Sequence, residues 1–347
     1  MLIDVRLSNV LAHTAVFAMD AERDGYHAGW VGETGHDPFL PLVVAADHAR
    51  ALRLGISTAV AFARSPMTTA YLADDLASFS GGRFILGLGA QVSAHVRGRF
   101  SMPYSRPVAR MREYVAALRE IWGCWRDGRA LDFRGDFYQH TLMTPAFAPE
   151  QLGTPAPPVY LGAVGPRMAS LAGEIADGLL AHLLTSPRYL REVTVPAVAT
   201  GLAAAGRERS DIKIVVPIFV VTGATELEFN RSRDAVRRQL AFYASTPAYA
   251  PVLATHGWSD LHWELHEMSL AGDWDEMPDL IDDEVLSTLA IEGEPAAVAR
   301  MIWSRYGQLA DRIVLSPEPG SNAPWGRIVS DLRALTSHHD TVAATPA

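Results

Sequence analysis

Three ionisable side chains crowd into one short loop of this 347-residue chain. In WVGETGHDPF (residues 30–39), Glu33, His36 and Asp37 follow an apolar pair and are spaced by Gly32 and Gly35. Histidine is the side chain whose ordinary titration falls near neutral pH, and a neighbouring carboxylate can orient its ring or share its proton. The trio therefore has the chemistry of a proton donor or acceptor. It also has the composition of a solvated turn. Which of the two it is depends on where the preceding strand sits in the fold.

Two glycine-bearing stretches could hold an anion. RFILGLGAQV (83–92) runs from an apolar strand pattern into Gly87-x-Gly89, but Val92 stands where a dinucleotide fingerprint needs its third glycine. LGAVGPRM (161–168) places Gly162 and Gly165 just before Pro166, a residue suited to the first helical turn. Backbone N–H groups at such mouths can approach a phosphate. Tight turns without a ligand are the plainer alternative. In HWELH, His262 and His266 stand one turn apart, without the glutamate directly after the first histidine that a zinc-protease helix requires. There is no Gly-x-Ser-x-Gly elbow. Cys124, the single cysteine, lies mid-helix beside Trp122 and Trp125 and reads as packing.

The elements that must position these residues alternate along the chain. Strand patterns at 2–7, 28–32, 54–62, 83–89, 158–163, 178–183, 212–223 and 311–316 are each followed by an amphipathic helix pattern. One of those helices is 226–244, placed directly after strand seven. Regular strand–helix alternation implies a parallel sheet, and eight units imply a closed (β/α)8 TIM barrel with insertions at its C-terminal face. A doubly wound open sheet is the runner-up, and the first strand–helix turn, RLSNVLAH, lacks any glycine for it. In a barrel, strand ends carry the chemistry. Glu33, His36 and Asp37 then lie on the rim of the catalytic face. One domain over 1–337 is expected, with insertions at about 90–107, 126–157 and 246–293, and an unstructured tail over 338–347.

Composition narrows the setting. The chain is 49% hydrophobic and 20% charged, with net charge −9 and a pI near 5.7, which argues against nucleic-acid binding. No apolar stretch approaches the ~20 residues of a membrane span, and the polar start and lone cysteine fit a cytoplasmic protein. Charge is unevenly distributed. Residues 76–112 carry six arginines and no acid, and residues 239–299 carry twelve acids and no Lys or Arg. Either these are solvated faces or they are surfaces for partners of opposite sign.

SGGRFILGLGAQV, VYLGAVGPRMASLAGEIADG, GEPAAVARMIWSRYG and the histidine after strand two resemble the bacterial-luciferase-like flavin and deazaflavin oxidoreductases, nearest the branch that depends on coenzyme F420. The resemblance spans about residues 1–337. It implies a non-proline cis peptide near Ser57–Thr58, with Val60 beside it, backing the deazaflavin ring. It implies His36 as the catalytic histidine, with Glu33 and Asp37 as orienting neighbours. It further implies a cofactor tail over Gly162, Ala163, Val164 and Gly165, with Gly89, Ala90, Gln91 and His95 closing one side. A homodimer or higher homo-oligomer, and an F420 or flavin reductase as redox supplier, belong to the same implication. In the sugar-phosphate dehydrogenase branch a carboxylate follows the strand-four Gly-x-Gly; here Val92 stands there, and the only lysine is Lys213.

Three functions follow. The first is an F420-dependent reductase or dehydrogenase acting on a small organic or peptide-like substrate, with reduction of a C=C or C=N bond as the reaction. The second is an FMN-dependent two-component monooxygenase of the same fold. The third is a non-catalytic cofactor-binding barrel. The acidic, aromatic segment 246–293 has the length of a lid and the charge for a cationic substrate. The arginines of 76–112 would face the anionic cofactor tail.

Overall fold

The computed structural model describes residues 1–150, 152–317 and 321–343, with side chains up to residue 337. Eight parallel strands close on themselves: β1 (Leu2–Arg6), β2 (Ala28–Val31), β3 (Arg53–Ile56), β4 (Phe84–Gly89), β5 (Val159–Ala163), β6 (Gly178–Ala181), β7 (Lys213–Pro217) and β8 (Arg312–Leu315). Each pairs with its neighbour in sequence, β8 pairs with β1, and β3 with β4, so the sheet has no open edge. The helices wrapping it are α1 (Leu11–Arg23), α2 (Phe39–His48), α3 (Pro66–Phe79), α4 (Pro107–Asp127), α5 (Pro166–Ile175), α6 (Val195–Ala204), α7 (Pro295–Tyr306) and α8 (Trp325–Ala343). Their starts are written locally. Ser65 caps α3 by accepting from the Thr68 N–H, and proline occupies the first turn of α3, α4, α5, α6 and α7.

All eight expected strands are present, and two of them break before their expected ends. The third ends at Ile56, passes through a cis Ser57–Thr58 peptide, and resumes as the short strand Ala59–Val60 beside the end of β4. The seventh ends at Pro217. Phe219–Val221 then leaves the barrel and pairs in parallel with Ala290–Glu292.

That departure moves the third insertion. It begins at Phe219, so the helix Glu226–Ala244, expected on the barrel wall, belongs to the insertion instead, and the wall position is filled by α7. The insertion has its own core, in which Phe219, Val236, Leu240, Val252, Leu265 and Leu286 are buried together. Helix 226–244 is amphipathic against this second core, and one apolar stripe serves either location. The expected unstructured tail over 338–347 begins within α8 and ends outside the described residues. Among the described residues no helix is long and apolar enough to cross a membrane.

Candidate active site

Side chains alternate along each strand, so every second residue points into the barrel. Trp30, Ile85, Tyr160, Leu180, Val215 and Val314 form a separate apolar cluster that plugs the lumen. One further inward position along, the mouth presents Gly32 after β2, Ser57 after β3, Gly87 on β4, Gly162 on β5 and His182 after β6, with Gly89 two residues beyond Gly87. Above the apolar plug, three strands therefore end without side chains.

The glycines make room for specific atoms. A Cβ on Gly87 would stand 1.7 Å from the Ile56 carbonyl oxygen. One on Gly89 would stand 2.3 Å from Thr58 Oγ1, and one on Gly162 2.8 Å from Thr58 Cγ2. Thr58 thus lies across the ends of β4 and β5, carried there by the cis Ser57–Thr58 peptide at the expected position. Gly165 differs from them: it precedes α5 with open space around it, and beside it Arg167 is exposed and makes no ion pair among the described residues. Ala163 is buried, and the Val164 carbonyl accepts from the Tyr189 hydroxyl at 3.1 Å. Backbone N–H groups of the first turn of α5 are thus available to an anion.

Of the trio that follows β2, two members are braces. Glu33 is 8% exposed, and its carboxylate accepts from the Val60 N–H at 2.7 Å and from Arg64 Nη1 at 2.7 Å. Asp37 accepts from Arg64 Nη2 at 2.8 Å and from the Phe39 N–H at 2.9 Å, which caps α2. Both carboxylates are thus tied to Arg64, Glu33 through Oε2 alone. His36, between them, is exposed and makes no hydrogen bond or ion pair within the described residues. Its loop is pinned from both sides: Asn9 Nδ2 donates to Thr34 Oγ1 at 2.7 Å, and Arg99 Nη2 to the Thr34 carbonyl at 2.6 Å.

The remaining expected residues divide. Gln91 adopts φ +55°, its side-chain oxygen accepts from the Val92 N–H, and its carbonyl accepts from the Tyr104 hydroxyl. Ala90 beside it is half-buried at the rim. His95 lies on the short helix Ser93–Gly98 and is exposed.

Arg64 and His182 were missed in the sequence. His182 ends β6 facing inward. Its Nδ1 accepts from the Leu184 N–H at 3.0 Å, its ring stacks on Tyr249 at 4.0 Å, and Tyr243 meets it edge-on at 4.8 Å. Burial pushes its pKa down to about 4. A neutral ring with Nδ1 accepting carries its proton on Nε2, so His182 is a fixed hydrogen-bond donor at neutral pH. Both tyrosines come from the insertion, which therefore walls the mouth on the β6 side.

The arginine run is partly consumed by internal bonds, the acidic run much less so. Arg83 donates to carbonyls of Ala46, Ala49, Leu52 and Ser80, and Arg110 is buried between Phe62 and Tyr138. Arg112 pairs with Glu174, Arg106 with Asp136, and Arg97 donates to the Tyr104 carbonyl. Arg83 and Arg110 are thus structural, while Arg97, Arg99 and Arg106 keep exposed side chains. In the acidic segment, Asp283 pairs with Arg233 and Arg237, and Glu292 with Arg233. His262 and His266 donate to the carbonyls of Ala244 and Ser245, closing the end of the insertion helix.

Comparison with known proteins agrees with this geometry. A family model described as luciferase-like monooxygenase matches residues 4–312. An uncharacterized protein of Mycobacterium tuberculosis is 48% identical over 312 residues, covering 90% of this chain and 92% of its own. The 5,10-methylenetetrahydromethanopterin reductase of Archaeoglobus fulgidus is 28% identical over 290 residues, covering 81% and 82%. The structure of the coenzyme F420-dependent tetrahydromethanopterin reductase from Methanopyrus kandleri superposes with a TM-score of 0.75 at 20% identity over 97% and 98% of the two chains, which shows the same fold.

Proposed function

The chain belongs to the luciferase-like monooxygenase family of oxidoreductases, and from that membership we propose that it transfers hydride between coenzyme F420 and a small organic substrate, making or reducing a C=C or C=N bond. The observation that carries this reading is the glycine-lined surface of the mouth, where Gly32, Gly89 and Gly162 carry no side chains and Thr58 lies across the ends of β4 and β5 above the apolar plug. A planar tricyclic ring suits such a surface. The F420 dependence named for sequence relatives, among them a putative coenzyme F420-dependent oxidoreductase of Mycobacterium tuberculosis that is 29% identical over 310 residues, favours a deazaflavin over a flavin there.

The residues would divide the work as follows. Gly162 to Gly165, the first turn of α5 and Arg167 would hold the anionic tail of the cofactor. When bound, the deazaflavin supplies two electrons as hydride. His36 would donate or accept the substrate proton from its exposed position on the rim. Arg64 would keep His36's loop and the Val60 backbone in register through Glu33 and Asp37. His182, neutral, would donate a hydrogen bond to an acceptor atom in the mouth, and Tyr243 and Tyr249 would exclude water behind it. Peptide-like substrates remain within this proposal.

His36→Ala tests the assignment. With reduced F420 and a panel of imines and activated alkenes, turnover should fall by about 10² to 10⁴ while cofactor affinity stays unchanged. Undiminished turnover in the variant would remove His36 from the mechanism.

A further inference from the structure

The opposite end of the barrel holds a cavity of about 320 Å³ whose lining includes His27, Arg53, Tyr160, Lys213, Asp311 and Arg312. Arg53, Lys213 and Arg312 are the first inward positions of β3, β7 and β8, so three cations converge where the strands begin. Only Arg312 is compensated within the lumen, by a bidentate pair with Asp4 at 2.7 and 2.8 Å. Asp311 is engaged elsewhere through Oδ2, which pairs with Arg209 at 2.7 Å and accepts the Ile214 N–H at 2.7 Å. Arg53 and Lys213 make no ion pair and no side-chain hydrogen bond among the described residues. Two positive charges are left over around one cavity.

The other polar groups present there are donors as well. His27 Nδ1 accepts from Arg312 Nη2 at 2.9 Å, which leaves the proton on Nε2. Burial and the guanidinium groups of Arg312, Arg53 and Arg333 push the His27 pKa down to about 4, the mark of a locally positive field. Tyr160 is 95% buried (5% exposed), yet its hydroxyl, at the cavity, has no hydrogen-bond partner among the described residues. An open cavity with spare donors and three cations against the single carboxylate of its lining is suited to an oxyanion. Its volume is on the order of ten times the ~30 Å³ share of one water, so it admits more than a solvent ion.

We propose that this lower cavity is a binding site for a phosphate group, borne by inorganic phosphate or by a small phosphate monoester, held by Arg53, Lys213, Arg312 and the Tyr160 hydroxyl. The site is separate from the glycine-lined mouth and does not depend on the hydride-transfer reading. Without its ligand, the unpaired cations repel one another. Their removal should therefore leave the empty protein as stable as before or more so.

The experiment is calorimetric titration of the full chain with inorganic phosphate and, separately, with glycerol 2-phosphate, at fixed ionic strength set by chloride. Wild type, Arg53→Ala/Lys213→Ala and Arg167→Ala are compared, the last to account for anion binding at the cofactor mouth. The expected result is saturable binding that weakens at least about tenfold in the double variant and is unchanged in Arg167→Ala. The phosphate-free double variant should melt at or above the wild-type temperature. Tighter binding of the ester identifies an organic phosphate as the occupant, and equal binding identifies phosphate alone. Equal affinity in wild type and the double variant, loss only in Arg167→Ala, or no binding of either anion would overturn the proposal.

Discussion

The buried pair Glu33–Arg64 decides how the rim is built. Removing one partner leaves a charge without its counterion in a site that is largely desolvated, a change that costs about 3 kcal/mol or more. Arg64→Ala should lower the urea unfolding free energy by roughly that amount, and should loosen His36's loop enough to weaken cofactor binding. A loss under ~0.5 kcal/mol, the range of ordinary surface substitutions, would show the brace to be dispensable. His182 gives a second prediction, in pH. Its folded-state pKa lies near 4, below the ordinary 6.5, so the unfolded chain binds the proton more readily between those values. Stability associated with neutral His182 is then full above about pH 6.5 and lost as pH falls toward 4. His182→Gln should show a smaller loss of stability between pH 7 and pH 5 than wild type, and an equal loss would contradict the assignment. His36 was legible in the sequence because its spacing after an apolar strand marked a rim. Arg64 and His182 were not, because their meaning arises from partners 27 to 67 positions away, such as Glu33, Asp37 and Tyr249.

Elements carry their own test in the way strands meet Thr58. Gly162→Ala should destabilise the protein by about 1–3 kcal/mol through overpacking, and Thr58→Ser should restore most of it by removing the Cγ2 that lies 2.8 Å away. Gly89→Ala should not be rescued by the same change, since its clash is with Oγ1 at 2.3 Å. Identical responses to Thr58→Ser in both backgrounds would mean that Thr58 does not sit between β4 and β5 as described. The glycine mouths were visible in the sequence, but the atoms for which Gly87 and Gly89 clear space, those of Ile56 and Thr58, were not. Helix 226–244 shows a related limit. Its apolar stripe required a helix with one buried face, and only the exit of the chain at Pro217 assigns that face to the insertion core.

At the scale of the molecule, the barrel was legible because strand–helix alternation repeats eight times and each unit is closed by local signals. The charge runs were less legible for the converse reason. Arginines contiguous in sequence are dispersed over a wrapped sheet, where Arg83 binds carbonyls at the lower end and Arg112 binds Glu174 on the outside. Surplus charge survives folding elsewhere, at Arg167 beside the mouth and at Arg53 and Lys213 below. The central claim is that the mouth is made for a deazaflavin. It is tested most directly by titrating the full chain with oxidised coenzyme F420 and, separately, with FMN, following cofactor fluorescence. The account predicts saturable F420 binding at about micromolar dissociation constant, of the order that a tail-anchored ring should reach, with Gly162→Ala and Arg167→Ala weakening it and FMN failing to compete. Preferential binding of FMN, or of neither, would contradict it.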